Sequence, residues 1–269
     1  MKLKNIAIPI ILTWISSNFS AQEINYNFQL NSHELEWLSN RIYSNECNSN
    51  FNCLTYWNAG EEFPSLGIGH FIWFHSEQEP GFEETFPQLI EFMRIRNAPI
   101  PKWLTEESNL NSPWKSREIF YANFHSTDMV ELRNFLAQQK ALQVEFIVER
   151  FNLTLSQIIL DFPTSERTKI DGILRKISSD SNTMGLYALI DYVHFKGAGL
   201  SSKETYKGQG WGLKQVLHNM LNQPASINSF VESAEQILER RVGNAPTARN
   251  EQQWLAGWRK RLQTYLSTR

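Results

Sequence analysis

Cysteine is scarce. The 269-residue chain holds two, Cys47 and Cys53, with five residues between them. No His or Cys set at zinc-ligand spacing accompanies them, so the spacing implies no metal site. In an oxidising compartment the two can pair. The loop closed is small, worth about 2 kcal/mol of chain entropy, and would pin the segment after Glu46. Two nucleophile and metal motifs are also missing. No Gly-x-Ser-x-Gly elbow occurs, which argues against a serine hydrolase of that type. No His-Glu-x-x-His occurs, which argues against a metalloprotease. A surplus of positive charge is lacking as well. The net charge is −2, so nucleic acid is a poor partner on charge grounds. No cofactor is implied.

Long apolar runs are absent apart from Ile6–Ile15, which is too short to span a bilayer comfortably. With Lys2 and Lys4 before it and Ser16, Ser17, Ser20 and Ala21 after it, residues 1–21 read as a secretory signal peptide. No cysteine follows the run, which argues against a lipid anchor. The expectation is a protein exported to the periplasm or medium, with no stable membrane anchor. Residues 22–269 would form a single domain. Losing Lys2 and Lys4 makes that domain more acidic, unlike many secreted enzymes that attack anionic walls.

What is present is helical periodicity and aromatic side chains. Nine Trp and seventeen Phe suit sugar rings, although core packing explains most such residues. Asn31 and Glu34 have capping-box spacing, and Leu35, Leu38 and Ile42 continue it as an apolar stripe. Glu46 extends that stripe, which predicts a partly desolvated carboxylate suited to a general acid. Leu54–Asn58 reads as a strand, 59–62 as a turn and Ser65–Phe74 as one return strand. Alternation would put Gly67 and Gly69 on one face, open to a ligand or another backbone. His70, on the other face, reads as structural. Further helices are predicted over 83–96, 127–150, 166–178, 183–195, 211–222, 226–241 and 248–266. Asn152-Leu-Thr154 fits a glycosylation sequon. The run Arg259-Lys-Arg261 reads as a solvated helix face or a docking face. The class is α+β, mainly helical, with one small β-hairpin lobe and a helical lobe.

Glu46, Glu61 and Glu62 flank the hairpin, and paired carboxylates across a hairpin suit glycosidic-bond cleavage. Glu46 would be the acid and Glu61 the second carboxylate. Glu62, Trp57, Trp73, Tyr206, Trp211 and Gln215 are the candidate substrate contacts.

Glu46, the hairpin and Ser65-Leu-Gly-Ile-Gly-His70 together resemble the active-site region of phage-type lysozymes. There a Glu ends the first helix and the hairpin closes in Thr-Ile-Gly-Tyr/Ile-Gly-His. Residues 188–199 are similar to the family's helix running into an Asn-x-Gly-x-Gly turn, and 249–257 to its late Arg-rich helix. Trp211-Gly-Leu-Lys-Gln215 is similar to a Gly-Leu-Met-Gln segment of lytic transglycosylases. The resemblance covers about half of the mature chain and leaves roughly 75–165 as an insertion. It implies a lysozyme-like fold, peptidoglycan as substrate, Glu46 as catalytic acid, Ser65 as a cleft hydroxyl and His70 as a buttress. The family's second carboxylate would fall on Ala59, so hydrolysis and lytic cleavage both stay open. So does a non-catalytic glycan- or envelope-binding protein.

Overall fold

The computed structural model describes residues 26–76, 83–105, 110–180, 183–202 and 204–267. The predicted signal peptide lies outside them. The described part is mainly helical, with very short strands. No helix in it is long and apolar enough to cross a membrane.

Helix α1 (Ser32–Cys47) starts as its sequence predicts. Asn31 Oδ1 accepts from the Glu34 amide at 3.0 Å, and Glu34 Oε2 accepts from the Asn31 amide at 2.9 Å. These bonds satisfy amides that the first turn would otherwise leave unpaired. The helix ends where Asn48 turns left-handed, at φ +47°, a conformation Asn tolerates. A Cys47–Cys53 disulfide and a 3-10 turn over Phe51–Leu54 follow.

The β lobe departs from the predicted two-strand hairpin. Strand β1 is Thr55–Tyr56, and the predicted return strand is split into β2 (Ser65–Leu66) and β3 (Phe71–Ile72). The three are antiparallel in the order β1-β2-β3, with Ser65 opposite Tyr56 and Ile72. The cause is a reversal at 67–70, where Gly67 has φ +69° and His70 φ +50°. The two glycines do not leave a face open to ligand. A Cβ on Gly67 would sit 2.2 Å from Gln143 Oε1, and one on Gly69 2.4 Å from the Phe71 ring. Apolar alternation misleads here because Leu66, Ile68 and Phe71 are all buried, whichever way the strand faces.

Six further helices complete the first two-thirds of the chain: α2 (Phe86–Ile95), α3 (Arg117–Ala122), α4 (Thr127–Gln138), α5 (Lys140–Leu160), α6 (Thr164–Ser178) and α7 (Met184–Lys196). The helix predicted over 127–150 is thus two, meeting at Gln139, and the second runs ten residues further. Strands β4 (Thr205–Tyr206) and β5 (Gln209–Gly210) form a hairpin in what reads as a glycine-dense loop. Helices α8 (Leu213–Asn219), α9 (Ile227–Asn244) and α10 (Gln252–Gln263) close the chain.

Residues 75–165 are no peripheral addition. Helix α5 packs against α1, α2, α6 and α7. Its Gln143 is fully buried, accepts from the Ile68 amide at 2.8 Å and donates to the Leu136 carbonyl at 2.7 Å. The turn at 67–70 is therefore held by a helix the sequence does not connect to it. Asn152, the sequon residue, accepts from the Phe28 amide at 3.1 Å within α5. Helix α7 is apolar on nearly every side and central, as such helices are.

Close packing of α6 on α7 supplies a test. A Cβ on Gly185 would lie 1.7 Å from the Ile177 carbonyl oxygen, and backbone cannot give way cheaply. Gly185→Ala is expected to cost about 1–3 kcal/mol, read as a lower urea midpoint at constant slope. An unchanged midpoint would contradict this packing.

Candidate functional site

Glu46 is the penultimate residue of α1, and its side chain is 13 % exposed. It follows the buried Leu38 and Ile42 of the stripe, but its own partners are one guanidinium and two imidazoles. Its Oε1 accepts from Arg261 Nη2. His194 Nε2 lies 3.8 Å from Oε1, and His70 Nε2 3.9 Å from Oε2. Both imidazoles are outside hydrogen-bond range but close enough to interact by charge.

Arg261 comes from α10 and is itself clamped. Its Nε and Nη2 each donate to Asp191 at 2.9 Å, a bidentate pair. Asp191, on α7, is 1 % exposed. Tyr265 donates to it at 2.6 Å and Asn45 at 3.2 Å. Burial pushes the Asp191 carboxyl up, but Arg261, Tyr265 and Asn45 together hold it below the usual carboxylate range. Arg261 is held above its ordinary value by Asp191 and Glu46, against the effect of its own burial. Tyr187, which accepts from Asn45 at 2.5 Å, is pushed up to about 12, first by burial and then by the Asp191 charge. The run 259–261 is therefore not uniformly solvated. Arg259 makes exposed pairs with Glu235 and Glu239, while Arg261 turns inward.

Glu46 lines a cleft of about 440 Å³. Cys47 and Cys53 line it too, so the disulfide fixes the chain beside the carboxylate. Asn48, Asn50 and Asn52 bring amide groups to it, and Tyr56, Tyr121 and Phe124 bring rings. Tyr56 is 43 % exposed, free to present its face. The β1 wall is braced from behind. Arg133 of α4 donates to Thr55 Oγ1 at 2.8 Å. Tyr121 of α3 donates to the Trp57 carbonyl at 3.1 Å and accepts from its amide at 3.2 Å.

Few of the other sequence-predicted residues meet at this cleft. His70 does, and it is more than a buttress. Burial pushes its imidazole down, against the opposing pull of Glu46, while His194 and Arg261 add to the lowering. Glu61 is half-buried and does not line the cleft; its carbonyl accepts from Trp57 Nε1 at 2.8 Å. Glu62 is exposed and also outside it. Ser65 is buried in the middle strand and does not line the cleft. Trp57 and Trp73 are core, packed on Phe120 and on Phe86, Trp103 and Trp114. Neither offers a stacking face.

Tyr206, Trp211 and Gln215 belong to a separate cluster. Arg241 stacks on Trp211 at 4.0 Å and pairs with the buried Glu251 at 2.7 Å. Tyr206 donates to Glu251 at 2.8 Å. Gln215 accepts from the Gly212 amide and donates to the Gly199 carbonyl, so it ties the glycine turns together. Lys196, beside them, lies 3.4 Å over the Trp258 ring, and burial pushes its ammonium down to about 6.

Arg261, Asp191, His194, Tyr56, Tyr121 and Phe124 escape sequence reading. Only Tyr56 carries a local signal, since the strand expected over 54–58 alternates it with Trp57 and turns it the other way. Comparison with protein-family models, curated proteins and solved structures finds no match for this chain. The site is therefore read from its own geometry.

Two outcomes follow. Because the folded protein lowers the His70 pKa below 6.5, the unfolded chain binds more protons just under that value. Stability is then full above it and falls as pH drops through it. Replacing His70 with Asn, which accepts a left-handed φ, should reduce the loss of Tm on acidification. An identical pH profile in His70→Asn would refute the assignment. Asp191→Ala leaves a buried guanidinium sharing only Glu46, and should cost about 3 kcal/mol in chemical denaturation.

Proposed function

We propose that this protein is an exported, lysozyme-like glycosidase that cleaves peptidoglycan strands with Glu46 as the proton-transfer group. The observation that carries the reading is the carboxylate of Glu46, held at the end of α1 by Arg261 and set at a largely apolar, aromatic-lined cleft beside a small β lobe. Amides at 48, 50 and 52 suit sugar hydroxyls, and an exposed Tyr56 ring suits a sugar face. The disulfide agrees with an oxidising compartment.

In the proposed reaction a proton passes from the Glu46 carboxyl to the glycosidic oxygen. The C–O bond breaks as positive charge develops on the ring. The resulting carboxylate then takes a proton from whatever attacks the anomeric carbon. Arg261 fixes where that carboxylate stands, which keeps the donor within reach of the bond.

The attacker is either water or a hydroxyl of the cleaved sugar itself. One observation favours the second, lytic reading. Among the described residues that line the cleft, Glu46 is the only carboxylate, and attack by an internal hydroxyl needs no partner acid. The same observation would suit a protein that grips glycan without cutting it.

Digestion of purified peptidoglycan, with products identified by mass spectrometry, separates these. Wild type should release muropeptides, and Glu46→Gln should lose at least about 100-fold in rate while still binding sacculi. Reducing ends would indicate hydrolysis and anhydro ends lytic cleavage. No products from wild type, with binding kept, would replace catalysis by recognition. Equal rates in the two proteins would remove Glu46 from the chemistry.

A further inference from the structure

The cysteine pair has a neighbour that sequence spacing does not reveal. The fold brings His70 to the disulfide, so that one ring nitrogen and the two sulfurs all lie within 4.8 Å of one another. His70 Nε2 is buried and has no hydrogen-bond partner. A buried imidazole nitrogen without a partner is available to ligate an ion. All three side chains line the cleft, which has room for an ion and its water. The Cα atoms of the cysteines are 5.4 Å apart, close enough for both sulfurs to reach one ion.

We propose that Cys47, Cys53 and His70 form a redox-gated site for one zinc-class cation, shut while the disulfide is closed and open once it is reduced. A dithiol of the surroundings supplies the two electrons. It passes two protons to the cysteine sulfurs and becomes a disulfide itself. The cation then displaces the two thiol protons, binding both thiolates and the neutral imidazole, with water from the cleft as a fourth ligand. Thiolate and imidazole ligands select a borderline-soft ion over calcium or magnesium. Glu46 lies between His70 and Arg261, so its carboxylate offsets the repulsion between guanidinium and cation. An ion held there would occupy the cleft beside Glu46.

The proposal stands apart from the glycosidase reading, because its test reads metal binding alone. The mature protein is titrated with Co²⁺ before and after reduction by a phosphine, which is then removed without air. The oxidised protein should show no sulfur-to-cobalt absorption, and the reduced protein should show it at one ion per chain. His70→Asn, reduced, should bind at least about tenfold more weakly. The Cys47→Ser/Cys53→Ser double variant should show no sulfur band while keeping the near-ultraviolet circular dichroism of a folded chain. Three results would overturn the proposal: no sulfur band in the reduced protein, equal affinity in His70→Asn, or loss of the folded spectrum on reduction before metal is added.

Discussion

Arg261 joins three parts of the chain that are remote in sequence. Its guanidinium spans Asp191 on α7 and Glu46 on α1, and Tyr265 and Asn45 fill the remaining positions on Asp191. Burying a carboxylate costs several kcal/mol unless a charge and hydrogen bonds compensate. Here a fork of two bonds and two further donors do so. Arg261 also covers the Phe195 ring at 4.4 Å, which adds packing to charge. Without it two carboxylates would face each other across α1 and α7 with no cation between them. The arrangement therefore fixes geometry more than it adds stability. Arg259, two residues away, pairs with Glu235 and Glu239 in the open, where such contacts are worth little.

The local features of this network can be read from sequence, and the long-range ones cannot. The start of α1 is encoded within four residues, so Asn31 and Glu34 disclose it. The helical class follows from apolar spacing, and most helix positions come out within a few residues. The errors have one cause. Where a segment is buried on every side, hydrophobic alternation no longer reports which way it faces. That is why Ser65–Phe74 reads as one strand although Gly67 and His70 reverse it. It is also why Trp57 and Trp73 read as sugar platforms although they fill the core. Arg261 is hidden for the opposite reason. The two residues before it, Arg259 and Lys260, are charged and exposed, and the charge run itself does not distinguish the one arginine that turns inward.

The segment 75–165 looks dispensable when the chain is aligned by its motifs, and the structure gives it the opposite role. The β lobe has strands of two residues, too short to hold themselves. Gln143 binds its turn, Arg133 binds Thr55, and Tyr121 binds both backbone groups of Trp57. A small lobe of this kind keeps its shape only if helices behind it satisfy its polar groups. The cleft, lined mostly by the motif's own segment, is therefore held in shape by parts that carry none of the motif.

The position of Glu46 explains why so many constraints converge on one turn of chain. A helix terminus frays, and a carboxylate placed there would wander by more than a proton transfer tolerates. Asn48 stops the helix in a left-handed turn, the disulfide closes the next six residues, and Arg261 holds the carboxylate from the opposite side. The loop entropy removed by the disulfide is small. Its main effect is to remove the freedom of the segment that carries Asn48, Asn50 and Asn52 past the same cleft. Glu46 and these three amides then move as one body, which is the rigidity the proposed proton transfer requires.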